Sequence, residues 1–259
     1  MSNSTGPTPS GAFVWYDLMT PDPQAATAFY RDVIGWTAEV STTSGKPYTL
    51  LSANDIMVAG LMETPEEVRA MGIPPCWSGY IGVADLEAKL AALLAAGGSV
   101  RRPVEDIPSV GRFAVVADPQ GAVFILFSPF DTPPRPAIAH GTPGHIGWHE
   151  LYAGNGPEAF AFYSALFGWT KAEAIDMGEM GVYQLFAAGG PPVGGIMTKP
   201  PQVRMPHWNF VFNVAEINAA VARVQAGGGQ VMHGPMQVPG GQWVAHCQDP
   251  QGAMFSIVA

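Results

Sequence analysis

After a stretch of small and polar residues at 1–11, the first apolar run of the chain begins. Residues 12–18 (Ala-Phe-Val-Trp-Tyr-Asp-Leu) read as a strand rich in aromatic and branched residues. Asp22 before Pro23 is the signature of a helix start. The helix it predicts carries Phe29, Tyr30, Val33 and Ile34 as one apolar stripe and ends at Gly35. Strands are predicted around 48–52 and 56–62. After a stretch bearing Pro and Met at 64–75 the pattern restarts with a strand at 77–83. Asp85 caps a helix that puts Leu86, Leu90, Leu93 and Leu94 on one face, and Gly97-Gly98 stop it. Strands follow near 99–102, 111–117 and 123–127, with residues 118–121 as the hairpin between the last two. The second half gives a strand at 146–151, a helix at about 155–167, and strands around Tyr183 and 193–197. It then gives a strand at 208–214, a helix at 216–225 and closing strands from about Trp243 to Val258.

Two blocks recur at nearly constant spacing. Phe29-Tyr30 with Gly35-Trp36 returns as Phe162-Tyr163 with Gly168-Trp169. Asp118-Pro119-Gln120-Gly121-Ala122 returns as Asp249-Pro250-Gln251-Gly252-Ala253. The order is kept, so the chain is a tandem duplication. Each half performs β-α-β-β-β twice, and the fold class is α+β: four βαβββ modules paired into two domains, each a curled mixed sheet. The expected boundaries are a disordered tail at 1–11, a first domain at 12–129, a semi-rigid Pro-rich linker at 130–144 and a second domain at 145–259.

Composition narrows the functional classes. With 259 residues and 47% hydrophobic side chains, the chain can bury two cores. A formal net charge of −9 speaks against nucleic acid, which needs clustered Lys and Arg. No apolar run approaches the roughly 18 residues that span a bilayer, and the N-terminus has no signal-peptide pattern. Cys76 and Cys247 fall at unrelated positions, which suits free thiols in a reducing cytoplasm.

Phe-Tyr near the end of the first helix of a paired βαβββ unit, with Asp-Pro-x-Gly before its last strand, resembles the vicinal oxygen chelate superfamily. That group contains glyoxalase I, extradiol dioxygenases and bleomycin-resistance proteins. The resemblance covers nearly the whole chain and includes the Trp-x-Asp/Glu-Leu of each opening strand. It implies a cup with a divalent metal held by His, Gln or Glu. Carried over by spacing, the ligand positions fall at Trp15 and Trp148, Ser78 and Asn209, and Ile125 and Ser256. The remaining one falls near 59–61 and 194–196. None is His, Glu or Asp, so the resemblance implies the scaffold without its usual metal site, and no cofactor is expected.

Strand alternation puts Asp17 on the face of Trp15, and Glu150 on the face of Trp148. Two readings stay open for these acids: a general base or ligand acceptor in an apolar pocket, or a structural acid bound to backbone amides or an Arg. The same pockets should include Ser78, Tyr80, Asn209, Ile125 and Ser256. The expected function is binding of a small apolar or aromatic molecule, as in bleomycin-resistance relatives, by a cytoplasmic monomer or homodimer. The alternative is a lyase, isomerase or dioxygenase with Fe, Mn, Ni or Zn held in the second domain by Glu150, His207 and His246. His149 alternates out of phase with Glu150, toward the helix side or solvent. The loops at 107–112 and 238–242 occupy equivalent places and read as lids.

Overall fold

A computed structural model describes residues 11–42, 47–131, 136 and 138–259. Residues 1–10 of the expected tail at 1–11, residues 43–46 of the turn before Tyr48 and the linker positions 132–135 and 137 lie outside them.

The elements follow the fourfold module. The first contains β1 (Phe13–Thr20), α1 (Pro23–Ile34), β2 (Thr37–Ser41), β3 (Tyr48–Ala53) and β4 (Ile56–Glu63), then the short α2 (Glu66–Ala70). The second contains β5 (Cys76–Gly82), α3 (Leu86–Ala95), β6 (Ser99–Ile107), β7 (Gly111–Ala117) and β8 (Val123–Pro129). The third contains β9 (Ile146–Ala153), α4 (Gly156–Phe167), β10 (Thr170–Asp176), β11 (Val182–Ala187) and β12 (Pro192–Thr198). The fourth contains β13 (His207–Asn213), α5 (Ile217–Ala226), β14 (Gln230–Gln237), β15 (Trp243–Gln248) and β16 (Met254–Val258). Two mixed eight-stranded sheets result, with orders β2-β3-β4-β1-β5-β8-β7-β6 and β10-β11-β12-β9-β13-β16-β15-β14.

Local chemistry explains the helix ends. Asp22 accepts the Ala25 N–H at 2.9 Å and Asn155 accepts the Glu158 N–H at 3.1 Å, satisfying donors that a helix N-terminus leaves open. The strands the pattern missed are β2, β10 and β14. All three are exposed along most of their length and so carry no buried periodicity.

By contacts the chain divides into two compact units, and each draws on both halves. One comprises residues 1–14, 78–138 and 148–208; the other comprises 15–77, 139–147 and 209–259. The modules therefore pair first with fourth and second with third, although each sheet joins modules from one half. The repeated sequence blocks make this pairing. In the unit of first and fourth modules, the Tyr30 hydroxyl donates to Asp249 Oδ2 at 3.1 Å and accepts from Trp77 Nε1 at 2.9 Å. Phe29 and Tyr30 meet Phe255 edge-on, and Trp36 meets Phe212 at 5.2 Å. In the unit of second and third modules, Tyr163 donates to Asp118 Oδ2 at 3.1 Å and accepts from Trp208 Nε1 at 3.2 Å. The other oxygen of each aspartate accepts two N–H groups of its own hairpin. The two blocks that mark the duplication thus bond to each other across the halves. Burial raises the pKa of both aspartates, while the hairpin amides pull it back.

Candidate functional site

Both opening strands turn a Trp-x-acid face away from the buried side chains of Leu18 and Leu151. In the unit of first and fourth modules, Asp17 Oδ1 accepts from Trp15 Nε1 at 2.9 Å and from the Tyr48 hydroxyl at 2.5 Å. Trp15 Nε1 also reaches the Tyr48 oxygen at 2.8 Å, which closes a triangle. Asp17 is 3% exposed, so its carboxylate is buried with these two partners. Burial and then the charge of Asp17 hold the Tyr48 phenol protonated far above its ordinary range.

The matching cluster in the unit of second and third modules is larger. Trp148 Nε1 donates to the Tyr183 hydroxyl at 2.7 Å, and Tyr183 donates to Glu150 Oε1 at 3.1 Å. Tyr152, two residues beyond Glu150 on the same face, also hydrogen-bonds to it. The Tyr152 ring stacks on His207 at 5.2 Å and 13°. Burial, then the charge of Glu150, raises both phenol pKa values, so the tyrosines remain donors. His207 Nδ1 meets the Met205 carbonyl at 3.1 Å, and burial lowers its pKa against the smaller upward pull of that carbonyl and of Glu150. Trp148, Glu150, Tyr152 and His207 are all half-buried. A carboxylate surrounded by aromatic planes and partly open to solvent can accept a hydrogen bond from a flat, hydroxyl-bearing molecule.

Glycine makes both tyrosines fit. A Cβ at Gly60 would overlap the Tyr48 hydroxyl, and one at Gly195 would overlap the Tyr183 ring. Each tyrosine crosses the neighbouring strand only because that strand has no side chain there. Strand parity with Glu150 was the signal for Tyr152, and the equal spacing of Tyr48 from Asp17 and Tyr183 from Glu150, within two residues, was the signal for the other two.

The other expected positions separate. Half-buried Ser78 and buried Tyr80 lie on β5, where Tyr80 pairs in register with Ile125 of β8 and packs edge-on against Phe127 at 6.0 Å. Asn209 Nδ2 donates to Ser256 Oγ at 2.8 Å, and His246 Nδ1 lies 2.7 Å from the same oxygen. His149 is buried, stacked on Phe13 at 4.1 Å and bonded through Nδ1 to the Val193 carbonyl at 2.7 Å. Of its two expected surroundings, it takes the covered face. The 107–112 and 238–242 segments are the turns joining β6 to β7 and β14 to β15.

The divalent metal implied by the resemblance finds no matching donor set. Among the described residues no three His, Cys, Asp or Glu side chains are grouped to hold an ion, and Glu150, His207 and His246 form no such group. Glu150 is engaged by two phenols, His207 by Met205 and Tyr152, and His246 by Ser256. An amide at 209 and a hydroxyl at 256 are poor substitutes for imidazole and carboxylate.

Comparison with known proteins agrees with this architecture. The profile described as Glyoxalase/Bleomycin resistance protein/Dioxygenase superfamily matches residues 12–126 and 142–257. CFP32 of Mycobacterium tuberculosis, a provisionally named glyoxylase, is 33% identical over 94% of this chain and 93% of its own. The anthracycline biosynthesis protein DnrV of Streptomyces peucetius is 34% identical over 96% of this chain and 93% of its own. Among solved structures, the Mn(II)-bound glyoxalase from Novosphingobium aromaticivorans aligns with a TM-score of 0.67 at 17% identity, covering 96% of this chain and 82% of that one. The 2,3-dioxygenase LapB from Pseudomonas sp. KL28 aligns at 0.64 and 15%, covering 97% and 93%. At such identities these structures speak to fold alone. A profile that spans both halves, with relatives a third identical along nearly the full length, places the chain in the Glyoxalase/Bleomycin resistance protein/Dioxygenase superfamily.

Proposed function

We propose that this protein binds a small, flat aromatic molecule bearing a hydroxyl group, without a metal, and that Glu150 accepts the hydroxyl proton's hydrogen bond. One observation carries the reading: a half-buried carboxylate is ringed by Trp148, Tyr152, Tyr183 and His207. Aromatic planes provide stacking area, while the carboxylate fixes orientation. The name of the 34% relative points to anthracyclines, which are polycyclic aromatics, and so agrees with a ligand of this class. Asp17 has the structural role of a buried acceptor, with the first cluster lacking both the second tyrosine and the imidazole: Met19 and Cys76 stand at the corresponding positions.

The test is titration of the full chain with 2-naphthol, read by tryptophan fluorescence with and without chelator. Glu150→Gln should weaken binding about tenfold, the size of one hydrogen bond to a charged acceptor. Binding that needs a metal, or is indifferent to Glu150→Gln, would sink the reading.

A further inference from the structure

Ser256 is fully buried, and its hydroxyl has two partners among the described residues, Asn209 Nδ2 at 2.8 Å and His246 Nδ1 at 2.7 Å. A hydroxyl owns one hydrogen and can accept two. The amide N–H of Asn209 can only donate, so it occupies a lone pair of Oγ. A buried hydroxyl hydrogen needs an acceptor, and His246 Nδ1 is the acceptor within reach. Ser256 therefore donates to Nδ1, and a neutral His246 carries its own hydrogen on Nε2. Asn209 is 5% exposed and Ser256 is 0% exposed, whereas His246 is half-buried; the chain of donors runs from the interior outward. Hydrogen bonds aligned head to tail polarise one another, which strengthens the last donor.

On one side of the His246–Ser256 pair this face is aliphatic: register sets Val211 beside Ser256 and the Val244–Val258 pair two residues along, while Gln248 and Met254 pair two residues along on the other side. His233 of β14 lies in register with His246, its ring 6.3 Å away. The corresponding positions of the first half are Ser78, Ile125 and Val115, so the chain exists once in the protein.

We propose that Asn209 and Ser256 hold His246 as the Nε2-protonated tautomer, a fixed hydrogen-bond donor for the carbonyl oxygen of a small apolar ligand. Asn209 and Ser256 are positioning residues; His246 touches the ligand. The two places where the superfamily resemblance expects metal ligands thus orient an imidazole instead. This site is independent of Glu150 and takes the complementary chemistry, an acceptor where Glu150 takes a donor.

Long-range proton–nitrogen correlation spectra of the full chain labelled with 15N-histidine test the tautomer, with the His246 signal assigned by its loss in His246→Phe. The expected result is hydrogen on Nε2, a mixture of tautomers in Ser256→Ala, and recovery in Ser256→Thr. Hydrogen on Nδ1 in the native protein overturns the assignment, and that measurement needs no variant to fold. Titration with 2-acetylnaphthalene tests the ligand class. Loss of one hydrogen bond in His246→Phe should weaken its binding about tenfold, while His233→Phe leaves it unchanged. Failure of 2-acetylnaphthalene to bind, equal binding by His246→Phe, or an equal loss in His233→Phe overturns the carbonyl recognition. Because 2-naphthol is read through Glu150→Gln and 2-acetylnaphthalene through His246→Phe, the two readings fail separately.

Discussion

His149 and Glu150 are chain neighbours with opposite surroundings, and one peptide unit separates a buried imidazole from a half-buried carboxylate. Strand alternation sends the imidazole into the covered face against Phe13 and leaves the carboxylate half-open. Burial lowers the pKa of His149 from 6.5 to about 4. The unfolded chain takes up a proton near pH 6.5, and the folded one only near 4. Stability is therefore fully present above 6.5 and is lost as pH falls through that interval, by about 3 kcal/mol. Urea unfolding between pH 7 and 4 should show this slope, and His149→Phe should flatten it whatever its effect at neutral pH. Asp118 and Asp249, whose folded pKa values are raised, add a slope of opposite sign near their own titration, and both proteins share it. At this scale the acids and their faces were legible, since parity needs nothing beyond the sequence. That Asp17 is sealed and Glu150 open was not, because exposure depends on what packs over each strand.

At the scale of elements, the helices were legible because caps and apolar stripes are local. Asp22, Asn155 and the glycines that follow each helix mark their own positions. β2, β10 and β14 were not, because an exposed edge strand buries little and shows no period. The tyrosine crossings also escaped, for a glycine read alone on β4 or β12 suggests only a bulge. Gly195→Ala should destabilise the protein by about 2 kcal/mol, as overpacking does, and should also weaken 2-naphthol binding by displacing Tyr183 from Glu150. Gly190→Ala, whose Cβ would meet nothing within 4 Å, should do neither. Thermal melts of the two variants, run beside the titration, make the comparison.

At the scale of the molecule, the halves visible in the sequence and the units defined by contact are different partitions. The sequence reading set domain boundaries by repeat, while Tyr30 finds Asp249 and Tyr163 finds Asp118, each in the opposite half. A segment ending at residue 131, expressed alone, would leave the Tyr30 hydroxyl without its acceptor Asp249, Phe29 without Phe255 and Asp118 without its phenol. Each half alone should therefore show low near-ultraviolet circular dichroism and bind a hydrophobic dye. Mixing the two should restore the native spectrum. A half that is natively folded and monomeric by itself would contradict the pairing of modules described above.

That crosswise stitching also constrains how such a sequence can change. A single copy of the repeated half has a tyrosine and an aspartate that cannot serve each other within one half, so it could satisfy them only against a second copy. With both copies in one chain the requirement is met internally: the tyrosine of each half is answerable to the hairpin of the other, so a change in either aspartate is felt by the opposite half.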